Sequence, residues 1–482
     1  MSDPRDALSS KFKDTSRFAN FGEVLMQMQV TGFRCHTNTV IRIASPITAF
    51  CGLNGTGKST LLQLAAAAYK GGATRTGYYI KDFLIVSAFD PSPFNDDASI
   101  EYKYWQGERP QKTLTLSRSA ATSSWRGYKR RPTRYVFFAG VGLYLPKVEQ
   151  RDFICRKAGK LRLVRSNPVP REIKEWTSKI LGLNYEDILS HDVMYSQQTG
   201  TVVSVRRGGN NYAEPNMGFG EGRTQYLVSM LETIPEKSLV LIEEPETSLH
   251  PSAQHEFGNY LVDVSRRKCH QIILTTHSEF LLESLPSNSR IYLYRNDINI
   301  KTIQGLTSLQ AKSLMSQGHV KALHILVEDE CAKIILQEIL RRTDTDFLRS
   351  VGIYAVGGAP NIGVTMQTLR ETGFPIAAVR DGDQGIEPRT NLFKLPGELP
   401  PEKELFQNLA VKQYLNETYH INLDDFIASI AGTDHHDWTR RFAYYINQNE
   451  IALLNEMARI YANQLAQSET ASLTTLLKAA IE

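Results

Sequence analysis

The 482-residue sequence predicts an α/β chain with two parallel-sheet units in series and a helical carboxyl-terminal segment. Three observations carry this. A glycine-rich loop at 52–59 lies between a short apolar strand and a helix-forming stretch. Apolar runs at 238–242 and 271–276 end in Glu243-Glu244 and in His277-Ser278. Beyond residue 320, apolar runs alternate with segments of helical spacing, and the third run ends in Arg380-Asp-Gly-Asp383. Strand–helix alternation favours parallel sheets with right-handed crossovers, which deliver strand-end residues to one edge.

Taken in order, ITAFC (47–51) is the first buried strand, and TLLQLAAAAY (60–69) is a helix without Gly or Pro. Between them, Gly52-Leu-Asn-Gly-Thr-Gly-Lys-Ser59 fits G-x-x-x-x-G-K-[ST]. In that context backbone N–H groups and a helix N-terminus can wrap a polyphosphate. Gly52, Gly55 and Gly57 allow positive φ and close backbone approach. Lys58 reaches the outer phosphates, Ser59 holds Mg²⁺, and Asn54, Thr56 and Thr60 complete the loop's set. SLVLI (238–242) is a continuous apolar run suited to a strand buried on both faces. Of the two acids that follow, Glu243 suits the Mg²⁺ shell and Glu244 suits activation of a water. His277, at the end of QIILTT, suits a γ-phosphate sensor.

The order of these elements resembles the ABC-type ATPases, in particular the heads shared by SMC-like and OLD-family proteins. SLHP (248–251) stands where the D-loop is expected, and Met217-Gly-Phe-Gly-Glu-Gly-Arg223 where the signature loop is expected. Gly218 replaces the usual serine, and Glu243 the common aspartate. The resemblance implies that Gly218, Gly220 and Glu221 touch the nucleotide of a partner head, and hence a homodimer with shared ATP sites.

HILVED (324–329), VGIYAVGG (351–358) and PIAAV (375–379) read as strands, with CAKIILQEILRR (331–342) and NIGVTMQTLRE (361–371) as the helices between them. Glu328, Asp381 and Asp383 therefore meet at one sheet edge. Acids so gathered repel one another unless hard divalent cations such as Mg²⁺ or Mn²⁺ sit among them. Such ions assist phosphodiester displacement. The set resembles the Toprim domain, with Asp329 where glycine is common and Ala332 where a further acid is frequent; Glu330 is the candidate substitute. An ABC-type head followed by Toprim is the organisation of OLD-family ATP-dependent nucleases. The resemblance implies an ATPase head at 1–318 with a β-rich insertion at about 90–205, a Toprim-like domain at 319–415 and a helical region at 416–482. It further implies ATP, Mg²⁺ or Mn²⁺, DNA as substrate, and a role in prokaryotic defence against phage. A second reading stays open, in which the Toprim is degenerate and the ATPase holds or releases a separate effector protein.

The net charge of +4 decides little, but thirteen Lys/Arg face only Glu149 and Asp152 between Arg126 and Arg171. WRGYKRRPTRY (125–135) interleaves cations with rings, a pattern equally suited to DNA contact or to a solvated face. The five cysteines are scattered, with no C-x-x-C spacing, which points away from disulfides and zinc. No apolar run approaches eighteen residues, and MSDPRDALSSKFKD lacks a signal-peptide core, so a cytoplasmic location without membrane is expected. LFKLPGELPPEKELFQNL (392–409) reads as a Pro-punctuated loop entering a helix, with Lys394 and Lys403 near enough to consider for phosphate. Asp434-His435-His436-Asp437 reads as structural, because adjacent residues on one helix face apart.

Overall fold

The computed structural model describes residues 3–71, 77–107, 109–119, 124–296, 299–317, 319–371 and 373–481, the side chains of 109–111 excepted. Two compact units divide it, Met1–Ala311 and Lys312–Glu482.

The first unit is built on a six-stranded sheet in the order Asn299–Gln304, Arg290–Asn296, Ile47–Gly52, Gln271–Thr275, Leu239–Glu243, Val136–Ala139. All pairings are parallel except the outermost, 290–296 with 299–304. The central strands are buried along their length, which explains their unbroken Ile/Leu/Val content. Parallel register brings Gly52, Glu243 and Thr275 to one carboxyl edge.

The stretch 90–205 is not one insertion. Phe94–Gln106, Arg109–Ser119 and Ser124–Arg126 join Thr39–Arg42 and Val24–Phe33 in an antiparallel sheet of the core. Val136–Ala139 then returns to the central sheet beside Leu239–Glu243. Residues 162–213 then carry a separate antiparallel sheet, in the order 210–213, 198–207, 187–195 and 162–168, with the helix Arg171–Leu181 between its first two strands in sequence. The alternation in RYVFFAG marks a strand but does not say which sheet it joins.

The aromatic–cation stretch 125–135 is largely core. Trp125 stacks on Phe33 at 5.6 Å, and the half-buried Tyr128 accepts a hydrogen bond from Ile80 N–H at 3.0 Å. Arg131 donates to the carbonyls of Ala67 (3.0 Å) and Tyr78 (2.7 Å). Arg134 donates to Lys237 O (2.7 Å) and Gln271 Oε1 (2.8 Å), with its guanidinium over the Tyr69 ring. These are structural cations, and the outward ones are Arg126, Lys129 and Arg130. Arg134→Ala should lower stability by about 3 kcal/mol, because buried carbonyls lose their donors, whereas Arg130→Ala should change it by less than about 0.5 kcal/mol. Thermal unfolding checks both.

In the second unit a four-stranded, all-parallel sheet runs Val351–Ala355, Leu323–Val327, Ile376–Arg380, Leu392–Lys394. Helices Glu330–Thr343 and Ala359–Glu371 follow the first two strands in sequence, and a short helix, Thr345–Ser350, enters the second strand directly. Seven helical segments follow between Pro401 and Ala479. Among the described residues no helix is long and apolar enough to cross a membrane.

Candidate functional site

The phosphate loop leaves the sheet at Gly52, whose φ of 138° and contact with the neighbouring strand admit no side chain. A Cβ there would stand 2.3 Å from Leu293 O. Gly55 (φ 76°) and Gly57 (φ 80°) are also left-handed, and Gly57 caps the helix Lys58–Ala66. Behind Gly57 lies the buried His36, whose Nε2 is 3.1 Å from Gly57 O. Burial pushes His36 down to about 4, so the ring is neutral at physiological pH. The Lys58 ammonium donates to Gly52 O (2.8 Å) and Leu53 O (2.9 Å), inside the loop's own curve. Thr56 Oγ1 closes the loop onto Leu53 O at 2.8 Å. Asn54 and Ser59 are exposed, and Thr60 is buried in the helix's first turn.

The acid strand ends at Glu243, half-buried, whose carbonyl accepts from Arg223 Nη2 at 2.8 Å. Glu244 takes a left-handed φ of 44°, with its N–H donating to Thr275 O (3.1 Å) and Oγ1 (3.2 Å). A non-glycine residue at such φ is strained, as residues at functional turns often are. The His277 ring lies 3.7 Å from Glu244 Oε1. Burial, helped by Lys58 and opposed by Glu244, holds its pKa below the ordinary value.

Two residues at this edge escaped the sequence reading. Glu246 is buried, and its Oε1 accepts from Thr276 Oγ1 (2.7 Å) and from His277 N–H (2.7 Å). It thus fixes the turn that presents His277. Arg223, buried beside Glu243, Glu244 and Glu246, is the other; burial lowers its pKa and the three acids oppose this. Only spatial neighbours reveal either role. Glu246→Ala should lower ATP turnover at least about tenfold with little change in nucleotide affinity, and Glu246→Gln should restore most of it. Steady-state kinetics alongside nucleotide titration measures this.

In the signature-like loop, Gly218 is the N-cap of Phe219–Thr233. Gly220 packs on the turn at 248, where a Cβ would meet Ser248 O at 2.3 Å. Glu221 faces the appended sheet instead of the helix end: its Oε1 accepts from Tyr185 Oη (2.6 Å) and Tyr212 Oη (2.7 Å). Its position in the motif does not show this latch.

The second unit holds the other acid edge. Glu328 follows its strand directly, is buried, and accepts from Asp381 N–H through Oε1 at 3.3 Å. Asp381 is 5% exposed, and its Oδ1 is buried without a hydrogen-bond partner. Burial first, and then Glu328, Asp329, Glu402 and Asp383, push it up to about 8. Glu328 is raised for the same leading reason. Asp383 is exposed. Gly382 lets the turn approach Gly397 and Leu399 within 3.0 Å of a built Cβ. Lys394, considered above for phosphate, donates to Gly382 O at 2.8 Å and so braces this turn. A cation beside Glu328 and Asp381 would meet the orphaned Asp381 oxygen, so these two carboxylates suit a divalent ion, whereas ligand atoms of Glu328, Asp381 and Asp383 do not all lie within 4.8 Å of one another. Among the described residues, the one set of three ligand atoms within 4.8 Å of one another is a different one, Glu402, His435 and His436.

Comparison with known proteins supports the first unit's class. Residues 117–283 match a family model described as "AAA domain, putative AbiEii toxin, Type IV TA system", and residues 27–199 match one described as "AAA domain". The first match spans Glu243, Glu244 and His277; the second spans the phosphate loop. Residues 27–283 thus carry a P-loop domain of the AAA ATPase type. No curated protein matches the chain. Similar solved structures include an Smc head domain from Pyrococcus furiosus bound to the C-terminal domain of ScpA (12% identity, 61% of this chain, 99% of that one, TM-score 0.40). Another is an SMC head domain from Thermotoga maritima (15% identity, 58% and 98%, TM-score 0.35).

Proposed function

We propose that this chain is an OLD-like protein, in which a head dimer that binds and hydrolyses ATP controls a metal-dependent, Toprim-like DNA nuclease. The observation that carries the nuclease half is the acid edge of the second unit, with Asp381 N–H on Glu328 Oε1 and Asp381 Oδ1 buried and unpartnered.

In the head, the 52–59 loop cradles the phosphates, and Lys58 exchanges its two carbonyl partners for phosphate oxygens. Ser59 and Glu243 would hold Mg²⁺, which would supply charge neutralisation to the phosphates. Glu244 takes the proton of the attacking water, His277 reads the γ-phosphate, and Glu246 keeps His277 in place. Gly218 and Gly220 present a helix N-terminus to the partner head's nucleotide.

In the second unit, Glu328, Asp381 and Asp383 would hold Mg²⁺ or Mn²⁺, which would supply charge stabilisation for displacement at a phosphodiester. The chain's own contribution is to bury Asp381 and to keep Glu328 beside it. DNA would meet the exposed cations Arg156, Lys157, Lys160, Arg162 and Arg165 on and before the edge strand 162–168, in place of the core-bound Arg131 and Arg134. Defence against phage follows from the family likeness alone. The sensor reading, with a separate effector, draws on two observations: Ala332 where an acid is frequent, and the absence of Glu328, Asp381 and Asp383 from the described groups of closely spaced ligands.

Supercoiled plasmid incubated with the purified protein and Mg²⁺ or Mn²⁺, with and without ATP, tests the proposal. Nicked or linear product supports it. Intact plasmid under every metal, with activity appearing only when a second protein is added, supports the sensor reading instead.

A further inference from the structure

We propose that Glu402, His435 and His436 form a second metal site, one that takes a borderline divalent transition ion such as Zn²⁺. One carboxylate oxygen and one nitrogen from each ring lie within 4.8 Å of one another. Metal–ligand bonds of about 2.0–2.2 Å set ligand atoms roughly 3–4 Å apart, so closing on an ion needs shifts on the order of 1 Å.

The surroundings hold these groups in place. Glu402 sits in the first turn of the helix Pro401–Gln407 and is 3% exposed. The histidines share the 3₁₀ turn His435–Asp437, with ring centroids 4.1 Å apart. In that tight turn, capped by Asp434 Oδ1 accepting from His436 N–H at 3.1 Å, the adjacent rings lie against each other at a tilt of 35° and do not diverge as they would on an α-helix. Phe406 meets Trp438 at 5.9 Å and Phe442 at 5.7 Å, which ties the helix carrying Glu402 to the helix that follows the histidines.

An ion-pair account leaves a remainder. His436 Nδ1 is 3.6 Å from both Glu402 Oε1 and Asp329 Oδ2. Glu402 Oε2 is nevertheless buried without a hydrogen-bond partner, and the buried Cys331 thiol is the other group against this carboxylate. A buried carboxylate with a free oxygen, faced by two imidazoles, is the donor set of a nitrogen–oxygen metal site with open positions. Asp329 faces the same His436 nitrogen as Glu402 does, so it stands beside the site as a further carboxylate oxygen. Mixed nitrogen and oxygen donors separate this site chemically from the all-oxygen edge of Glu328, Asp381 and Asp383, which suits Mg²⁺ or Mn²⁺. The inference does not depend on DNA being cut.

The test uses the full chain without a polyhistidine tag, stripped with chelator and titrated with Co²⁺ as a spectroscopic stand-in, then with competing Zn²⁺. In excess Mg²⁺, which keeps the all-oxygen edge filled, one Co²⁺ per chain with visible absorption typical of nitrogen coordination and displaced by Zn²⁺ is expected. His436→Ala and His435→Ala should each weaken binding at least about tenfold, and Asp381→Asn should leave it within about twofold. Thermal unfolding of the metal-free variants shows whether they fold; if the alanine forms do not, His436→Gln and Glu402→Gln replace them. The proposal is overturned if no stoichiometric ion binds, or if binding survives loss of both histidines and disappears in Asp381→Asn.

Discussion

Glu244→Gln should lower the turnover number for ATP by about 10²–10⁴-fold and leave nucleotide affinity nearly unchanged. Glu244 leaves the sheet at a left-handed φ of 44°, pinned through its N–H to Thr275, and stands 3.7 Å from the His277 ring. The turn is held by backbone contacts, so the amide should keep the geometry and lose only the capacity to take a proton. Lys58→Ala should behave in the opposite way. Its ammonium is the cation inside the 52–59 curve, so removing it should abolish tight nucleotide binding itself. Pre-steady-state ATP turnover with fluorescent-nucleotide titration separates the two. A loss of less than tenfold for Glu244→Gln would place the base elsewhere.

Asp381→Asn should both remove metal-dependent cutting and stabilise the metal-free fold, an opposed pair of effects typical of strained sites. The folded carboxyl keeps its proton up to about 8, whereas an unfolded one releases it near 3.8. Between these values the unfolded chain binds fewer protons, so the wild-type protein loses stability as pH rises from about 4 to about 8. Asparagine is uncharged throughout and escapes that loss. In chelator, its advantage should be near zero at about pH 4 and grow to on the order of 2 kcal/mol by about pH 8. Denaturant unfolding across this range measures it; a constant difference would mean that neither burial nor the neighbouring acids hold the proton on Asp381.

What the sequence made legible was whatever is contiguous. The loop 52–59, the run ending at Glu243-Glu244 and the strand entering Asp381 each combine a local pattern with a chemical group. Glu246 was hidden because its partners, Thr276 and His277, lie about thirty residues on. Arg131 and Arg134 misled because a charge run does not say which cations turn inward to cap carbonyls. Val136–Ala139 falls in RYVFFAG, whose alternation marks a strand but does not say that it pairs with Leu239–Glu243 in the central sheet. His435 and His436 read as structural on α-helical geometry, whereas the chain there makes a 3₁₀ turn. Glu221 matches a motif position, yet Tyr212 of the strand 210–213 and Tyr185, just before the strand 187–195, claim its carboxylate.

The most direct measurement runs plasmid nicking and ATP turnover on the same preparations of wild type, Asp381→Ala and Glu244→Gln. Two separate acid edges require a crossed result. Asp381→Ala should lose nicking and keep ATP turnover, and Glu244→Gln should lose turnover while its nicking, intact or altered, still needs the divalent ion. Nicking by Asp381→Ala at the wild-type rate, or no nicking by any form with Mg²⁺ or Mn²⁺, would contradict the account.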